Sequence, residues 1–171
     1  MSFSLIPDRV ADCYADYTPE YLQERGVTLL LSDLDFTLAP KCVPEPDADI
    51  FSWIGGMKAA GIEVMILSNN RRSARVERFC GKLGITYVGH AGKPSTRGFT
   101  QAMAKAGVSA DETAMLGDKL LTDVLGAQLS GVTALMVEPL GGAVTPWQKV
   151  LHAMQAPFKA LCRRKTHFSA D

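Results

Sequence analysis

The segment DLDFT at residues 33–37 decides the fold, because it directly follows the apolar run VTLLLS at residues 27–32. A run of this length and character that ends in polar residues is typical of a buried parallel strand. The carboxyl ends of such strands open into the crevice where open α/β sheets bind their ligands. The sequence therefore predicts that the carboxylates of Asp33 and Asp35 crowd into one crevice, where they need a cation.

Two carboxylates separated by one residue can divide the work of phosphoryl transfer. One can attack phosphorus as a nucleophile while the other donates and accepts protons. Mg²⁺ suits such a pair, because this hard cation prefers a few carboxylate or carbonyl oxygens and keeps its other positions for water and phosphate. Asp is also common in turns and helix caps, so the pair alone does not establish catalysis.

Three further motifs follow the acid pair along the chain. Ser68 and Asn69 end a second apolar run, and their hydroxyl and amide groups can donate hydrogen bonds to a phosphate oxygen. Lys93 supplies a cation on a loop. The segment GDKLLTD at residues 117–123 ends a third strand-like run with another pair of acids. Each motif is ordinary by itself, and their order along the chain makes the combination specific.

The four motifs, in this order, resemble the haloacid dehalogenase superfamily of phosphatases over about residues 27–137. The resemblance implies that Asp33 is a nucleophile that forms an aspartyl-phosphate. It also implies that Asp35 is the general acid and base, and that Ser68 binds the transferring phosphoryl group. The expected activity is phosphomonoester hydrolysis.

The same resemblance implies how charge is balanced around a Mg²⁺ cofactor. Lys93 would neutralise the charge of the phosphoryl group. Asp118 would complete the magnesium site together with the Asp33 carboxylate and the Asp35 backbone carbonyl. Asp123 would hold Lys93 or a metal-bound water in place. The residues expected to bind substrate are Thr37, Ser68, Asn69, Arg71 and Lys93.

Composition fits one cytoplasmic domain. The 171 residues are 47% hydrophobic and 21% charged, which allows a substantial core. Basic and acidic residues number 18 each, so the zero net charge gives no bias toward nucleic acid. The four cysteines show no zinc-binding pattern and are expected as free thiols. We expect neither a leader segment nor a membrane span, and hence a cytoplasmic protein, either free or peripheral at the inner face of the membrane.

Predicted helices alternate with predicted strands along the chain. This alternation predicts an α/β fold with a doubly wound, Rossmann-like parallel sheet and helices on both faces. The predicted helix starts are Thr18, Asp47, Asn70, Pro94 and Thr122 or Asp123. The predicted divisions are a helical lead-in at 1–26, the phosphatase core at 27–140 and a basic amphipathic segment at 141–171.

The spacing of the motifs leaves no room for a cap domain. Between Asp35 and Ser68 lie 32 residues, and between Ser68 and Lys93 lie 24, all needed for predicted helices and strands. Independent domains need about 50 residues or more. The site is therefore expected to be open, which suits a phosphate on a lipid or macromolecule, or a site covered by a neighbouring subunit.

The C-terminal segment is expected to form a basic amphipathic helix that begins near Pro146, and Pro157 should bend or end it. Its apolar stripe comprises Trp147, Val150, Leu151, Met154, Phe158 and Leu161, and its basic residues are Lys149, Lys159, Arg163, Arg164 and Lys165. Such a segment can lie in an anionic membrane interface. Alternatively, the stripe packs on the domain and the basic end is solvated.

The N-terminal segment and the motifs together resemble the YqeG branch of the superfamily, in its subfamily IIIA, which is related to phosphatidylglycerophosphate phosphatases. This resemblance implies the phosphomonoester of phosphatidylglycerophosphate as substrate. Phe36 departs from the pattern, because relatives usually carry Asn there, and the change bears on rate and substrate preference. Arg71 and Arg72 either engage a second phosphate of such a lipid or lie on a solvated helix face.

Three functions remain open on the sequence. The first is a magnesium-dependent lipid phosphomonoesterase that works at the membrane surface. The second is a soluble phosphatase for sugar phosphates, nucleotides or phosphoproteins, with a homo-oligomer partner over the site. The third is a binding module that has kept the fold and lost turnover.

Overall fold

A six-stranded sheet, with all strands parallel, forms the centre of the computed structural model, which describes residues 5–70, 74–141 and 145–168. The strand order is β1-β6-β5-β2-β3-β4. The strands are β1 (Arg9–Ala11), β2 (Leu29–Ser32), β3 (Glu63–Leu67), β4 (Thr86–Val88), β5 (Thr113–Gly117) and β6 (Thr133–Val137). The predicted doubly wound parallel sheet is confirmed.

The central strand β2 is apolar throughout because both of its faces are covered. Leu30 belongs to a core on one face of the sheet, whereas Leu29 and Leu31 belong to a second core on the other face. The first core includes residues of α1 (Pro19–Gln23), α2 (Ala48–Ala59) and α3 (Ala74–Leu83). The second includes residues of α4 (Arg97–Ala106) and α5 (Leu125–Ser130). Burial on both faces explains the continuous apolar run in the sequence.

Side-chain caps begin two helices where the sequence predicts them. The Thr18 hydroxyl accepts a hydrogen bond from the Tyr21 amide at 3.2 Å, and the Asp47 carboxylate accepts one from the Ile50 amide at 2.9 Å. Both contacts satisfy amide groups that lack partners within the helix. The predicted start of α3 at Asn70 is followed by residues 71–73, which lie outside the described residues.

Two predicted helix starts were wrong. A turn comes before α4, in which the Ser95 amide donates to the Gly92 carbonyl at 2.9 Å, so the helix begins at Arg97 and not at Pro94. The helical segment after β5 begins earlier than predicted, as a π-helical turn at Leu120–Val124 that leads into α5. It begins early because Asp123 turns inward to accept a hydrogen bond from the Lys119 amide at 3.1 Å.

Strand β1 is an edge strand that the sequence did not predict. It has only three residues, Arg9–Ala11, and it pairs with β6. The buried Tyr17 hydroxyl lies 3.0 Å from the Arg9 carbonyl oxygen and 2.8 Å from that of Met136, so it joins the two strands. Such a short, half-buried strand lacks the periodicity on which a sequence prediction depends.

No cap domain is present between the motifs within the described residues. Helix α2 and strand β3 occupy the chain between Asp35 and Ser68. Helix α3 and strand β4 occupy the described part between Ser68 and Lys93. The predicted absence of a cap is confirmed for these stretches.

The last helix, α6 (Pro146–Phe168), runs through Pro157 without ending, contrary to one of the two expected outcomes. Pro157 lies on the exposed side of the helix, where the Ala153 carbonyl that loses its intrahelical partner is also exposed and can bond water. No helix in the described part of the chain is long and apolar enough to cross a bilayer.

Much of the apolar stripe of α6 faces away from the domain, contrary to the expectation that this stripe packs on it. Exposed fractions are 68% for Trp147, 49% for Val150, 56% for Met154 and 47% for Leu161, so much of the apolar stripe faces outward. Lys159 is instead buried, and its Nζ pairs with Glu138 at 2.6 Å. The packing alternative is therefore met only in part, because the half-buried Phe158 packs against the second core and Arg163 and Arg164 are exposed.

Candidate active site

The carboxyl ends of the central strands meet at one edge of the sheet. Asp33 follows β2, Ser68 follows β3 and Asp118 follows β5, and these three strands are paired in parallel. Ser32 pairs with Leu116, so β2 and β5 end at the same height in the sheet. The topology therefore collects at one crevice three side chains that are far apart in sequence.

Lys93 joins two of the predicted acids. Its Nζ lies 3.1 Å from Asp33 Oδ1 and 2.7 Å from Asp123 Oδ1. The Lys93 side chain is only 2% exposed and that of Asp123 only 1%. Since a buried ion needs both an opposite charge and hydrogen bonds, Lys93 stabilises the two carboxylates and they stabilise its ammonium group.

Lys119 is a member of the site that the sequence did not predict. Its Nζ lies 3.2 Å from Asp33 Oδ2 and 2.9 Å from Asp118 Oδ1, so it bridges the two carboxylates that the sequence assigns to a metal. The sequence shows that Lys119 lies between two motif acids in GDKLLTD, but it does not show that its side chain points into the site. A lysine next to an acid in sequence more often points to solvent.

Two residues expected to bind substrate also make contacts within the protein. The fully buried Thr37 hydroxyl donates to Asp118 Oδ1 at 3.2 Å, so it orients that carboxylate. The Asn69 side chain donates to the Lys93 carbonyl at 3.0 Å and accepts from the Lys93 amide at 2.7 Å. Thr37 therefore orients the Asp118 carboxylate, and Asn69 holds the Lys93 loop in place, while substrate binding by either residue stays a prediction.

Asp35 has an arginine partner that the sequence also missed. Arg75, in the first turn of α3, forms an ion pair with the Asp35 carboxylate. The same guanidinium donates to the carbonyls of Val43 at 2.7 Å and Pro40 at 2.8 Å. The Asp35 side chain remains 32% exposed, so it can exchange protons with water.

The remaining predicted residues are placed only in part. Ser68 is buried at the end of β3, and its Oγ accepts a hydrogen bond from the Asn70 amide at 3.2 Å. Arg71 and Arg72 lie outside the described residues. The phosphate-binding role of Ser68, the role of Arg71 and the contribution of the Asp35 carbonyl to a metal site stay predictions.

The motifs and their geometry can be compared with known proteins. A family model described as HAD-hydrolase-like matches residues 90–143. The probable phosphatase YqeG of Bacillus subtilis (strain 168) is 35% identical over 138 residues, which are 81% of this chain and 80% of that protein. The chain belongs to the haloacid dehalogenase (HAD) superfamily of phosphatases.

Solved structures of HAD phosphatases share the fold. The cobalt-bound deoxy-D-mannose-octulosonate 8-phosphate phosphatase of Haemophilus influenzae has a TM-score of 0.57 at 18% identity, over 80% of this chain and 91% of that chain. The 3-deoxy-D-manno-octulosonate 8-phosphate phosphatase of Moraxella catarrhalis, solved with magnesium, phosphate and KDO, has a TM-score of 0.50 at 16% identity, over 85% of this chain and 97% of that chain.

Three carboxylates of this HAD phosphatase could hold a divalent cation. Oxygen atoms of Asp33, Asp118 and Asp123 lie within 4.8 Å of one another. They face two ammonium groups, those of Lys93 and Lys119, which leaves one net negative charge at the site. Clustered carboxylate oxygens with residual negative charge suit Mg²⁺. The set includes Asp123, which the sequence assigned to holding Lys93 or a metal-bound water.

Burial and charge together set the protonation states of the HAD site. Burial alone would raise the pKa of Asp33, but the ammonium groups of Lys93 and Lys119 outweigh it and lower that pKa. Burial raises the pKa of Asp118 to about 6, against the effect of Lys119. Burial would lower the pKa of Lys93, and the carboxylates of Asp123 and Asp33 raise it instead. The lowered pKa favours the ionised form of the Asp33 carboxylate at neutral pH.

Phe36 occupies an unusual backbone conformation for its residue type. Its φ is 66°, in the left-handed region where Asn is several-fold enriched among residues other than Gly. Its amide donates to the Ala39 carbonyl at 2.9 Å and its carbonyl accepts from the Leu140 amide at 2.8 Å. These hydrogen bonds hold the loop that follows Asp33 in place. Its ring lies 6.0 Å from Lys119 Nζ.

Gly117→Ala should reduce activity by displacing Asp123. A Cβ at position 117 would lie 2.3 Å from Asp123 Cγ, so the side chain that orients Lys93 must move. We expect kcat for p-nitrophenyl phosphate to fall by about 100-fold, the cost typical of misplaced catalytic groups. Gly55→Ala is the control, because nothing lies within 4 Å of its new Cβ. Similar kcat values for the two variants would refute the proposed constraint.

Lys119→Gln should tighten Mg²⁺ binding. The Lys119 ammonium contacts both Asp33 and Asp118, so it competes for their charge with an incoming cation. Its removal should lower the Mg²⁺ dissociation constant by about tenfold in calorimetric titrations of metal-free protein. Lys105→Gln, an exposed lysine of α4, serves as the control. Unchanged or weaker binding by Lys119→Gln would contradict competition.

Proposed function

We propose that this HAD phosphatase is a Mg²⁺-dependent phosphomonoester hydrolase that works through an aspartyl-phosphate on Asp33. The observation that supports this best is the pair of lysines on Asp33, which keep a buried carboxylate ionised at the mouth of an uncapped site. Electrostatic preorganisation of this kind is the main requirement of phosphoryl transfer. The Mg²⁺ site of the Moraxella catarrhalis phosphatase is consistent with the same cofactor here.

The proposed reaction has two steps. In the first, Asp33 attacks phosphorus, the ester oxygen leaves, and Asp35 gives that oxygen its proton. In the second, Asp35 takes a proton from water, which attacks the aspartyl-phosphate and releases inorganic phosphate and free Asp33. Lys93, oriented by Asp123, neutralises charge on the phosphoryl oxygens. Bound Mg²⁺ would supply further charge neutralisation from the carboxylates of Asp33 and Asp118.

We infer a lipid phosphate, such as phosphatidylglycerophosphate, as the substrate. The sequence resemblance implies this substrate, and an open site can receive a phosphate that is attached to a membrane. The outward apolar stripe of α6, with Trp147 and Met154 more than half exposed, offers a contact for the lipid interface. The basic contribution is smaller than the sequence suggests, because Lys159 and Arg163 already pair with Glu138.

A second substrate class has one observation in its favour. The stripe that is exposed on α6 could equally be covered by a second copy of the chain, and the enzyme would then act on a soluble phosphomonoester. This alternative predicts a stable dimer and no preference for lipid.

Asp33→Asn should abolish phosphate release. The amide cannot form the aspartyl-phosphate, so turnover should fall by at least about 10⁴-fold. The assay compares phosphatidylglycerophosphate in mixed micelles with soluble phosphomonoesters, with Mg²⁺ present throughout. Asp111→Asn, at an exposed acid outside the site, should keep full activity. Near wild-type turnover by Asp33→Asn would refute the mechanism, and a preference for soluble esters would refute the lipid substrate.

Replacing Trp147 and Met154 together with Ser should release the protein from anionic vesicles. Loss of two exposed apolar side chains should reduce the vesicle-bound fraction in sedimentation by about tenfold. The matched control replaces Phe51 and Leu129, which are exposed on α2 and α5, with Ser. If both double variants bind equally, the stripe is not the contact. A change from dimer to monomer instead would identify the stripe as a subunit interface.

A further inference from the structure

Helix α6 forms one wall of a small cavity beside the active site. The cavity has a volume of about 50 Å³ and reaches the two motif residues Asp118 and Lys119. Phe36 lines it from the nucleophile loop, and Leu151, His152 and Gln155 line it from α6. The segment that the sequence assigned to a membrane or to solvent therefore also borders the reaction centre.

The face of α6 that turns toward the core carries several polar residues beside the half-buried Phe158. His152, Gln155, Lys159 and Cys162 are spaced three or four residues apart, so they lie on one side of the helix. Gln155 and Cys162 are 5% and 2% exposed, and Lys159 is fixed by its 2.6 Å ion pair with Glu138. Glu138 directly follows β6, so this ion pair holds α6 against the same edge of the sheet that carries the site.

Gln155 carries an unsatisfied polar atom in this wall. The residue is 5% exposed, and its Oε1 has no hydrogen-bond partner among the described residues. A buried carbonyl oxygen without a donor is destabilising, so such groups are rare without a role. The atom lacks a donor, which a bound molecule could supply.

The chemistry of the cavity narrows the class of ligand. Gln155 Oε1 and the Asp118 carboxylate are both acceptors, so a group that donates hydrogen bonds suits them, and Lys119 adds one cation to the lining. A hydroxyl can donate to Oε1, and Phe36 and Leu151 suit the carbon atom that bears it. A volume of about 50 Å³ exceeds what a single water requires, but it is too small for a nucleobase.

We propose that α6 replaces the missing cap as the specificity element, and that Gln155 accepts a hydrogen bond from a hydroxyl on the alcohol half of the phosphomonoester. The ligand class is a polyol phosphate, either the glycerol phosphate group of a lipid or a free polyol phosphate. This inference rests on the proposed phosphomonoesterase function. Gln155 is a specificity residue that takes no part in the chemical step.

Gln155→Met tests the proposal with a pair of matched esters. Glycerol 3-phosphate and propyl phosphate have the same carbon chain and differ in their hydroxyls. We expect Gln155→Met to raise KM for glycerol 3-phosphate by about fivefold to tenfold, the value of one hydrogen bond, with kcat retained. For propyl phosphate, KM should change by less than about twofold. The same KM comparison with phosphatidylglycerophosphate in mixed micelles shows whether the hydroxyl belongs to a lipid headgroup or to a free polyol phosphate.

The melting temperature provides a second test, because replacing a purely structural glutamine would lower it. Because Oε1 is unpaired, an apolar side chain of similar length should leave the melting temperature unchanged or raise it. The control is Gln101→Met, at an exposed glutamine of α4. Equal effects on both esters, or a clear fall in melting temperature, would overturn the proposal.

The two proposals fail in different ways. If the wild type releases phosphate from no ester and from no lipid, the phosphomonoesterase function itself fails, and this inference with it. If the wild type cleaves glycerol 3-phosphate and propyl phosphate equally well, and Gln155→Met does the same, only the role of α6 is refuted.

Discussion

The buried Asp33 carboxylate is the constraint on which the rest of the site depends. Three strand ends and two loops place it among Lys93, Lys119, Asp118 and Asp123, with almost no water contact. An unpaired charge there would cost several kcal/mol, so the lysines are required by the fold as well as by the chemistry. The same pairing keeps the proposed nucleophile Asp33 ionised, so one arrangement would serve both stability and reactivity.

Supporting contacts show how tightly this charge cluster is built. Thr37 fixes Asp118, Asn69 fixes the backbone of Lys93, and the missing side chain of Gly117 leaves room for Asp123. None of these residues needs to touch a substrate to matter, because each sets the position of a member of the charge cluster. The residual negative charge explains why a divalent cation would complete the site rather than crowd it.

Absence of a cap gives the C-terminal helix a larger role. An uncapped HAD site must obtain its substrate preference from elements at the edge of the sheet. Helix α6 is held at that edge by Lys159 and Glu138. Gln155 and Phe158 face inward, whereas Trp147 and Met154 face outward. The helix can therefore present one face to the alcohol half of a substrate and the other to a membrane or a second copy.

The sequence by itself determined the doubly wound sheet, the absence of a cap and the reaction family, because apolar runs and strand-end motifs are local signals. It identified Asp33, Lys93, Asp118 and Asp123 for the same reason. Tertiary structure alone decided that Lys119 points inward, that Arg75 reaches Asp35 and that Gln155 faces the site. Those contacts join residues up to 86 positions apart, and the direction of each side chain follows from packing, which local patterns do not encode.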